Sequence, residues 1–207
     1  MKLHLQTLKA LIKYIAPKKD IRNALNHVLV EITDAQTFYV ASDGHKACLF
    51  KHEMYDSDDI KTGQYLISRE ALNVFSKSPV ELVEFSVSDG GNMTLFDNTL
   101  QTTFSTDARY PDWRKLLHQI KDLSGKPSHI DPRLLKEVFD CYRMSKWLKN
   151  DSLSLSLNQN GSGANAVTAA DDSNFVGVVM PYRADDKSKH IFDFDSWISD
   201  QPLKKAA

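Results

Sequence analysis

Val40-Ala41-Ser42-Asp43-Gly44-His45-Lys46-Ala47 closes an apolar, strand-like run that begins at Phe38. An acid, a glycine and a histidine stand side by side there, as they do in many catalytic loops. The surroundings argue against catalysis. No Ser or Cys nucleophile motif accompanies the cluster, no Gly-rich phosphate loop follows a strand, and the 7 His are scattered without metal-ligand spacing. Asp43-Gly44 reads instead as a tight turn whose glycine takes a positive φ. The segment is thus a hairpin end, and neither enzyme chemistry, a cofactor nor a metal is expected.

Working outward, the same order of elements recurs three times: strand, helix, then two or three strands. In the first unit Lys2 to Gln6 alternates like a strand, and Leu8, Leu11, Ile12 and Ile15 follow at helical spacing until Pro17 interrupts. A short helical turn is expected around Arg22, then strands at Leu25 to Thr33, Phe38 to Ser42 and Lys46 to Lys51. A polar linker, Tyr55 to Gly63, leads to Tyr65-Leu66-Ile67. There Ser68 is placed to cap a helix that buries Ala71, Leu72 and Phe75. Strands at Val80 to Ser88, Asn92 to Phe96 and Thr99 to Ser105 are joined by the hairpin signals Gly90-Gly91 and Asp97-Asn98.

A second hydrophilic linker, Lys121 to Lys126, opens the third unit. Asp131-Pro132 is a helix start, with Leu134, Leu135, Val138, Phe139 and Tyr142 as the expected buried stripe. Ser152 to Leu157 alternates without a break, and Ala166 to Ala169 and Phe175 to Met180 close the unit. After Arg183 comes a polar tail with an aromatic island at Phe192, Phe194, Trp197 and Ile198. A repeat of ~60–70 residues is longer than solenoid periods. Each unit holds too few apolar residues for its own core, so units are expected to pair through sheets and helices, and three is an odd number for that.

Composition is that of a soluble globular chain: 207 residues, 42% hydrophobic and 26% charged, net charge −1. No apolar run approaches the ~20 residues of a membrane span, and the alternating N-terminus is not a signal peptide. Cys48 and Cys141 read as two buried thiols of a reducing, cytoplasmic compartment.

Three separated segments carry a resemblance. Arg22-Asn23-Ala24-Leu25-Asn26-His27-Val28-Leu29-Val30-Glu31 and Val40 to Lys46 are similar to a pattern R-x-x-L-x-x-x-L-x-E…V-A-T-D-G-H-R. Asp107-Ala108-Arg109-Tyr110-Pro111-Asp112-Trp113-Arg114-Lys115 is similar to D-G-R-F-P-D-Y-R-R, and Val178-Val179-Met180-Pro181-Tyr182-Arg183 to V-V-M-P-M-R. Together, and in this order, they resemble the bacterial DNA polymerase III beta subunit, the sliding clamp. The resemblance implies an α+β DNA-clamp fold of repeated strand-helix-strands half-units, with helices lining a ring interior and antiparallel sheets outside. Residues 1–120 resemble one complete clamp domain of two half-units, 121–184 a single half-unit, and 185–207 is the tail. A clamp ring holds twelve half-units, so a chain with three is expected to form a homotetrameric ring by pairing its orphan unit with another chain's. The bland alternative is a monomer or dimer whose third unit packs back on the first domain. The small size suggests a phage or mobile-element origin.

Two surfaces follow from the resemblance. The helices would face duplex DNA through Lys9, Lys13, Lys18, Lys19 and Arg22 in the first unit, Arg69 and Lys77 in the second, and Arg133, Lys136, Arg143, Lys146 and Lys149 in the third. Such a lining touches phosphates and carries no sequence preference. Carried over position by position, the peptide-binding pocket would be Ser42, Gly44, His45, Lys46 and Ala47, with Pro111, Lys115 and Leu116, and Val178, Met180, Pro181, Tyr182 and Arg183. Apolar walls suit Leu or Phe anchors of a polymerase or clamp-loader peptide, with Lys46 and Arg183 at the rim. The chain departs from the pattern at Ala47, usually a larger aliphatic, and at Tyr182, usually Met. The implied function is a non-enzymatic processivity factor that tethers a polymerase to DNA. Its rival is a non-encircling module that competes for host clamp-binding peptides or inserts into a host clamp.

Overall fold

The computed structural model describes residues 1–53, 62–121, 123–126, 128–146, 154–170 and 172–182. Arg183, Lys149 and the 185–207 tail therefore lie outside the described residues, as does most of the first linker. The first two units exchange their opening strands. β1 (Lys2–His4) leaves its own unit to pair with β6 (Leu82–Val87), which continues into β7 (Met93–Phe96) and β8 (Gln101–Phe104) as a four-stranded sheet. Reciprocally, β5 (Gly63–Ser68) pairs with β2 (His27–Ile32), followed by β3 (Gln36–Ser42) and β4 (Lys46–Glu53). The exchange is self-consistent in sequence. Leu3 and Ile67, each two residues before its helix begins, are wholly buried and stand opposite Val83 and Val28.

The third unit does not stand alone. β9 (Leu155–Asn158), β10 (Asn165–Ala169) and β11 (Phe175–Val179) extend the first unit's sheet through β4, so seven strands run β5-β2-β3-β4-β11-β10-β9, antiparallel throughout. Helices α1 (Leu5–Leu11) and α4 (Pro132–Ser145) pack together across this seam. Below them Cys48 of β4 and Cys141 of α4 meet, both wholly buried and free, and burial pushes the Cys141 thiol up. At Gly177 a Cβ would collide with Val138 Cγ1, so only glycine lets α4 lie this close to β11.

Period-2 alternation fills both faces of the long sheet. Val28, Val30, Tyr39, Cys48 and Phe50 point to the helices, while Leu29, Val40, Ala47 and Leu49 point to the opposite face. That opposite face is covered by Tyr110, Trp113 and a helix that the sequence reading omitted, α3 (Arg114–Lys121). Its signals were present: Asp112 Oδ1 accepts from Arg114 N–H, and Trp113, Leu116, Leu117 and Ile120 recur at helical spacing. Glu31 fastens it, accepting from Trp113 Nε1 (2.9 Å) and Arg114 Nη1 (2.6 Å).

Two helix starts fall where expected. Ser68 caps α2 (Arg69–Val74) by accepting from Ala71 N–H, and Asp131 caps α4 by accepting from Arg133 N–H. Other expectations need correction. Helix α1 begins at Leu5, inside the expected strand, and ends at Leu11, short of Ile15, whereas the short turn expected around Arg22 is present as a 3-10 turn over Asn23–Asn26. On α4 the fully buried stripe is Val138, Cys141 and Tyr142, whereas Leu134, Leu135 and Phe139 are only half-buried. Among the described residues no helix is long and apolar enough to cross a membrane.

Candidate functional site

The β3–β4 turn is built around one carboxylate. Asp43 Oδ1 accepts from His45 N–H (2.9 Å) and Lys46 N–H (3.0 Å), Ser42 Oγ accepts from Gly44 N–H, and Gly44 takes φ +88°. The turn is therefore an Asx-type loop whose geometry needs Gly at 44 and a carboxylate or amide at 43. Asp43 has a structural task and its acid is not available as a catalyst. Burial alone would push its carboxyl up, but the Lys46 ammonium and the two N–H groups more than offset that and hold it low.

Lys46 corrects the sequence expectation most plainly. It is 7% exposed and bridges Asp43 and Glu137 of α4, with Nζ 2.7 Å from Glu137 Oε2 and near the Tyr14 ring. Burial pulls the ammonium down and the two carboxylates raise it further, so it stays charged. This side chain fastens the first unit to the third and is not a rim residue.

Strand pairing assembles much of the remaining pocket set. Lys46 lies opposite Val179, Ala47 lies opposite Val178, and Met180 N–H donates to His45 C=O (2.8 Å). Ala47, Leu116, Val178 and Met180 share one apolar cluster with Tyr110 and Leu25. Pro181 is half-buried beside it, and Tyr182 is 64% exposed, tied to His129 through its backbone. Lys115 reaches into solvent near Asp112. Pro111 lies in an adjoining groove of about 560 Å³ between the Arg22–Leu25 and Asp107–Arg109 segments.

That groove shows what sequence reasoning misplaced. Arg22 was expected on the helix face towards DNA. Instead it clamps Asp20 and donates from Nη2 to Asp43 C=O (2.9 Å), against the Gly44 turn. Leu25 and Ala108 join it as groove walls. Both lie inside the motif segments, where nothing local in the sequence marks which side chains line a space.

The helices meet around a second concavity, about 710 Å³, formed by α1, α2 and the end of α4. Lys9, Lys13, Arg69 and Arg143 line it above the apolar floor of Ile12, Leu72 and Met144. Two of these four are engaged by backbone carbonyls, and several cations elsewhere are paired with acids. Arg69 donates to the Ile12 and Ala16 carbonyls and so caps the end of α1. Lys9 bonds the Ser78 carbonyl, and its burial pulls the ammonium down. Lys18 pairs with Glu70, Arg133 with Asp131, Lys136 with Asp140 and Lys146 with Asp172. Lys13, Lys19, Lys77 and Arg143 have no acidic partner among the described residues. No cluster of three potential metal ligands occurs among the described residues.

Neither a family model nor a curated protein sequence matches the chain. Solved structures do. It is similar to the DNA polymerase III beta subunit of Thermotoga maritima (15% identity, TM-score 0.64, covering 89% of this chain and 65% of that one). It is likewise similar to the sliding clamp of Bacillus subtilis (15% identity, TM-score 0.63, 89% and 64%). A third is a Pseudomonas aeruginosa sliding clamp bound to griselimycin (15% identity, TM-score 0.59, 89% and 65%). The chain thus spans about two thirds of the length of each. Exchanged opening strands, α1, α2 and α4 gathered on one side of antiparallel sheets and this shared topology make it a clamp-like chain, built on the fold of the bacterial DNA polymerase III beta subunit.

Proposed function

We propose that the chain is a non-enzymatic tether of the cytoplasm: a ring subunit that surrounds duplex DNA without sequence preference and holds a polymerase or clamp-loader peptide beside the β3–β4 turn. The observation that carries this reading is the convergence of Lys9, Lys13, Arg69 and Arg143, from α1 and the turn that follows it, α2 and α4, on one concavity of a protein whose net charge is −1. Cations gathered on a single face of a neutral protein make a phosphate-facing surface that binds weakly and depends on salt, as sliding requires. The apolar cluster of Ala47, Leu116, Val178 and Met180, with the Pro111 groove beside it, supports the peptide half of the reading. So does the fact that a clamp of this fold takes griselimycin. On this reading residues 1–120 act as one complete clamp domain, 121–184 as a half-domain, and four chains close the ring.

The test measures duplex-DNA anisotropy over a salt series. Lys13→Glu with Arg143→Glu should weaken binding about tenfold or more and flatten the log–log salt slope by about 2. Met180→Asp should leave that slope intact and abolish binding of peptides with Leu or Phe anchors. Unchanged duplex binding in the double variant overturns the DNA-facing assignment. The ion pairs at Lys18, Arg133, Lys136 and Lys146 favour a second reading, a module that binds peptides without encircling DNA. Peptide binding with no measurable duplex binding would establish it.

A further inference from the structure

The third unit repeats the elements of the first two but lacks their exchange. In the first pair, the residue two places before each helix is apolar, wholly buried and hydrogen-bonded across to the other unit's strand: Leu3 against Val83, Ile67 against Val28. The corresponding residue before α4 is Ile130, apolar but only half-buried. Its backbone has no partner among the described residues. Orientation fits the same role. His4 turns its N–H to its own unit, onto Tyr39 Oη, while Leu3 faces the partner strand. His129, of the same parity as His4, likewise gives its C=O to its own unit's Tyr182 N–H, which leaves Ile130 facing outward.

The receiving edge is open as well. β9 occupies the place of β2 and β6 but pairs only with β10 among the described residues. Its alternate side chains Leu155 and Leu157 are half-buried, whereas Val28, Val30, Val83 and Phe85 in the completed units are at most 1% exposed. Leu135 and Phe139 on α4 are similarly half-covered.

We propose that a second copy of this chain completes the third unit by reciprocal strand exchange. Residues 128–130 of each copy add to the β9 edge of the other, and the two α4 helices cover each other's Leu135 and Phe139. One two-fold operation supplies both the missing donor strand and the missing acceptor edge, which is the closed, self-complementary contact that homo-oligomers favour. Covering the edge with the chain's own tail would leave the Ile130 strand unused. This contact gives the ring proposed above one of its seams, and it stands or falls independently of DNA binding.

The experiment joins sedimentation equilibrium to interchain cross-linking. At tens of micromolar the full chain should weigh at least twice its 23.4 kDa. Ile130→Asp should lower the mass twofold with the circular dichroism spectrum retained. If that variant does not fold, the cross-link decides. A His129→Cys chain mixed with a Ser156→Cys chain, both positions exposed, should form a heterodimer with a short bis-maleimide, while buried Cys48 and Cys141 stay out of reach. A monomer at these concentrations, or no adduct in the mixture, overturns the proposal. It also fails if β9 amides are protected from exchange equally at every concentration and lose protection in Trp197→Asp, because the chain's own tail then holds the edge. Mass doubling with no DNA binding would keep the exchange and remove the ring.

Discussion

Leu8 on α1 and Leu135 on α4 belong to helices of the same rank in neighbouring units, yet Leu8 is wholly buried and Leu135 is half open. The first unit has a partner on both flanks: the second unit through exchanged strands, the third through β4 and β11. Among the described residues the third unit has a neighbour on one flank only. Its helix and first strand carry apolar residues at the same spacing, so the difference at these positions lies in what each unit is given to pack against. Full burial of a leucine is worth roughly 1.5–3 kcal/mol, and at Leu134, Leu135, Leu155 and Leu157 part of that is unrealised within one chain.

Leu8→Ala against Leu135→Ala breaks this comparison most sharply. The first should cost about 2–5 kcal/mol in urea denaturation at any protein concentration. The second should cost under about 1.5 kcal/mol in dilute protein and more as concentration rises, because self-association stabilises by mass action. Equal costs at every concentration would mean the two flanks do not differ.

At the seam, Lys46→Met strands Asp43 and Glu137, and a loss of about 2–3 kcal/mol is expected, below the ~3–5 of a fully buried pair because Glu137 is half open. The pH dependence has a definite sign. Asp43 has a depressed folded pKa, so its share of the stability is present above its unfolded value and lost as pH falls through the folded one. Lys46, raised in the fold, contributes below its ordinary 10.5 and loses that share as pH climbs past it. Wild-type stability should therefore decline at both extremes, and Lys46→Met should flatten both limbs in pH-dependent urea midpoints. Gly177→Ala probes the same seam sterically. Its new Cβ meets Val138, and a loss of about 1–3 kcal/mol should appear without any pH dependence.

A further effect is at His52, stacked on His4 with ring centroids 4.0 Å apart. Burial, then His4 and Lys146, pull His52 down to about 3, against the weaker opposing pull of Asp172. The unfolded chain takes up this proton near its ordinary 6.5, so folding weakens as pH falls from there towards 3. His52→Gln should shallow that slope, read as the change in urea midpoint between pH 7 and pH 4.5.

Much of the fold was legible because local signals and the three-segment likeness agreed. The Ser68 and Asp131 caps, the Asp43-Gly44 turn and the alternating strands each have a residue-level cause. The seven-strand sheet was not legible, because Ala47 opposite Val178 is a pairing across more than a hundred residues with no marker in either strand. Lys46 and Arg22 went astray for one reason. A lysine or arginine in sequence shows its charge but not the carboxylate or carbonyl that waits for it, and Glu137, Asp20 and the Asp43 C=O were all distant or unremarkable. Helix α3 is only eight residues long and begins inside the Asp107 to Lys115 motif, so its helical spacing is a weak signal there.

Units joined by a linker normally move against each other, and a groove between them must then be assembled before it is used. Here β4 and β11 share one hydrogen-bonded ladder, and Met180 is tied to His45. The walls on either side of that junction cannot drift apart without breaking the sheet. A ligand docking there meets a surface already in shape, so little affinity is spent on ordering the protein. Its observed association rate should climb linearly with ligand concentration, with no plateau from a slow opening step.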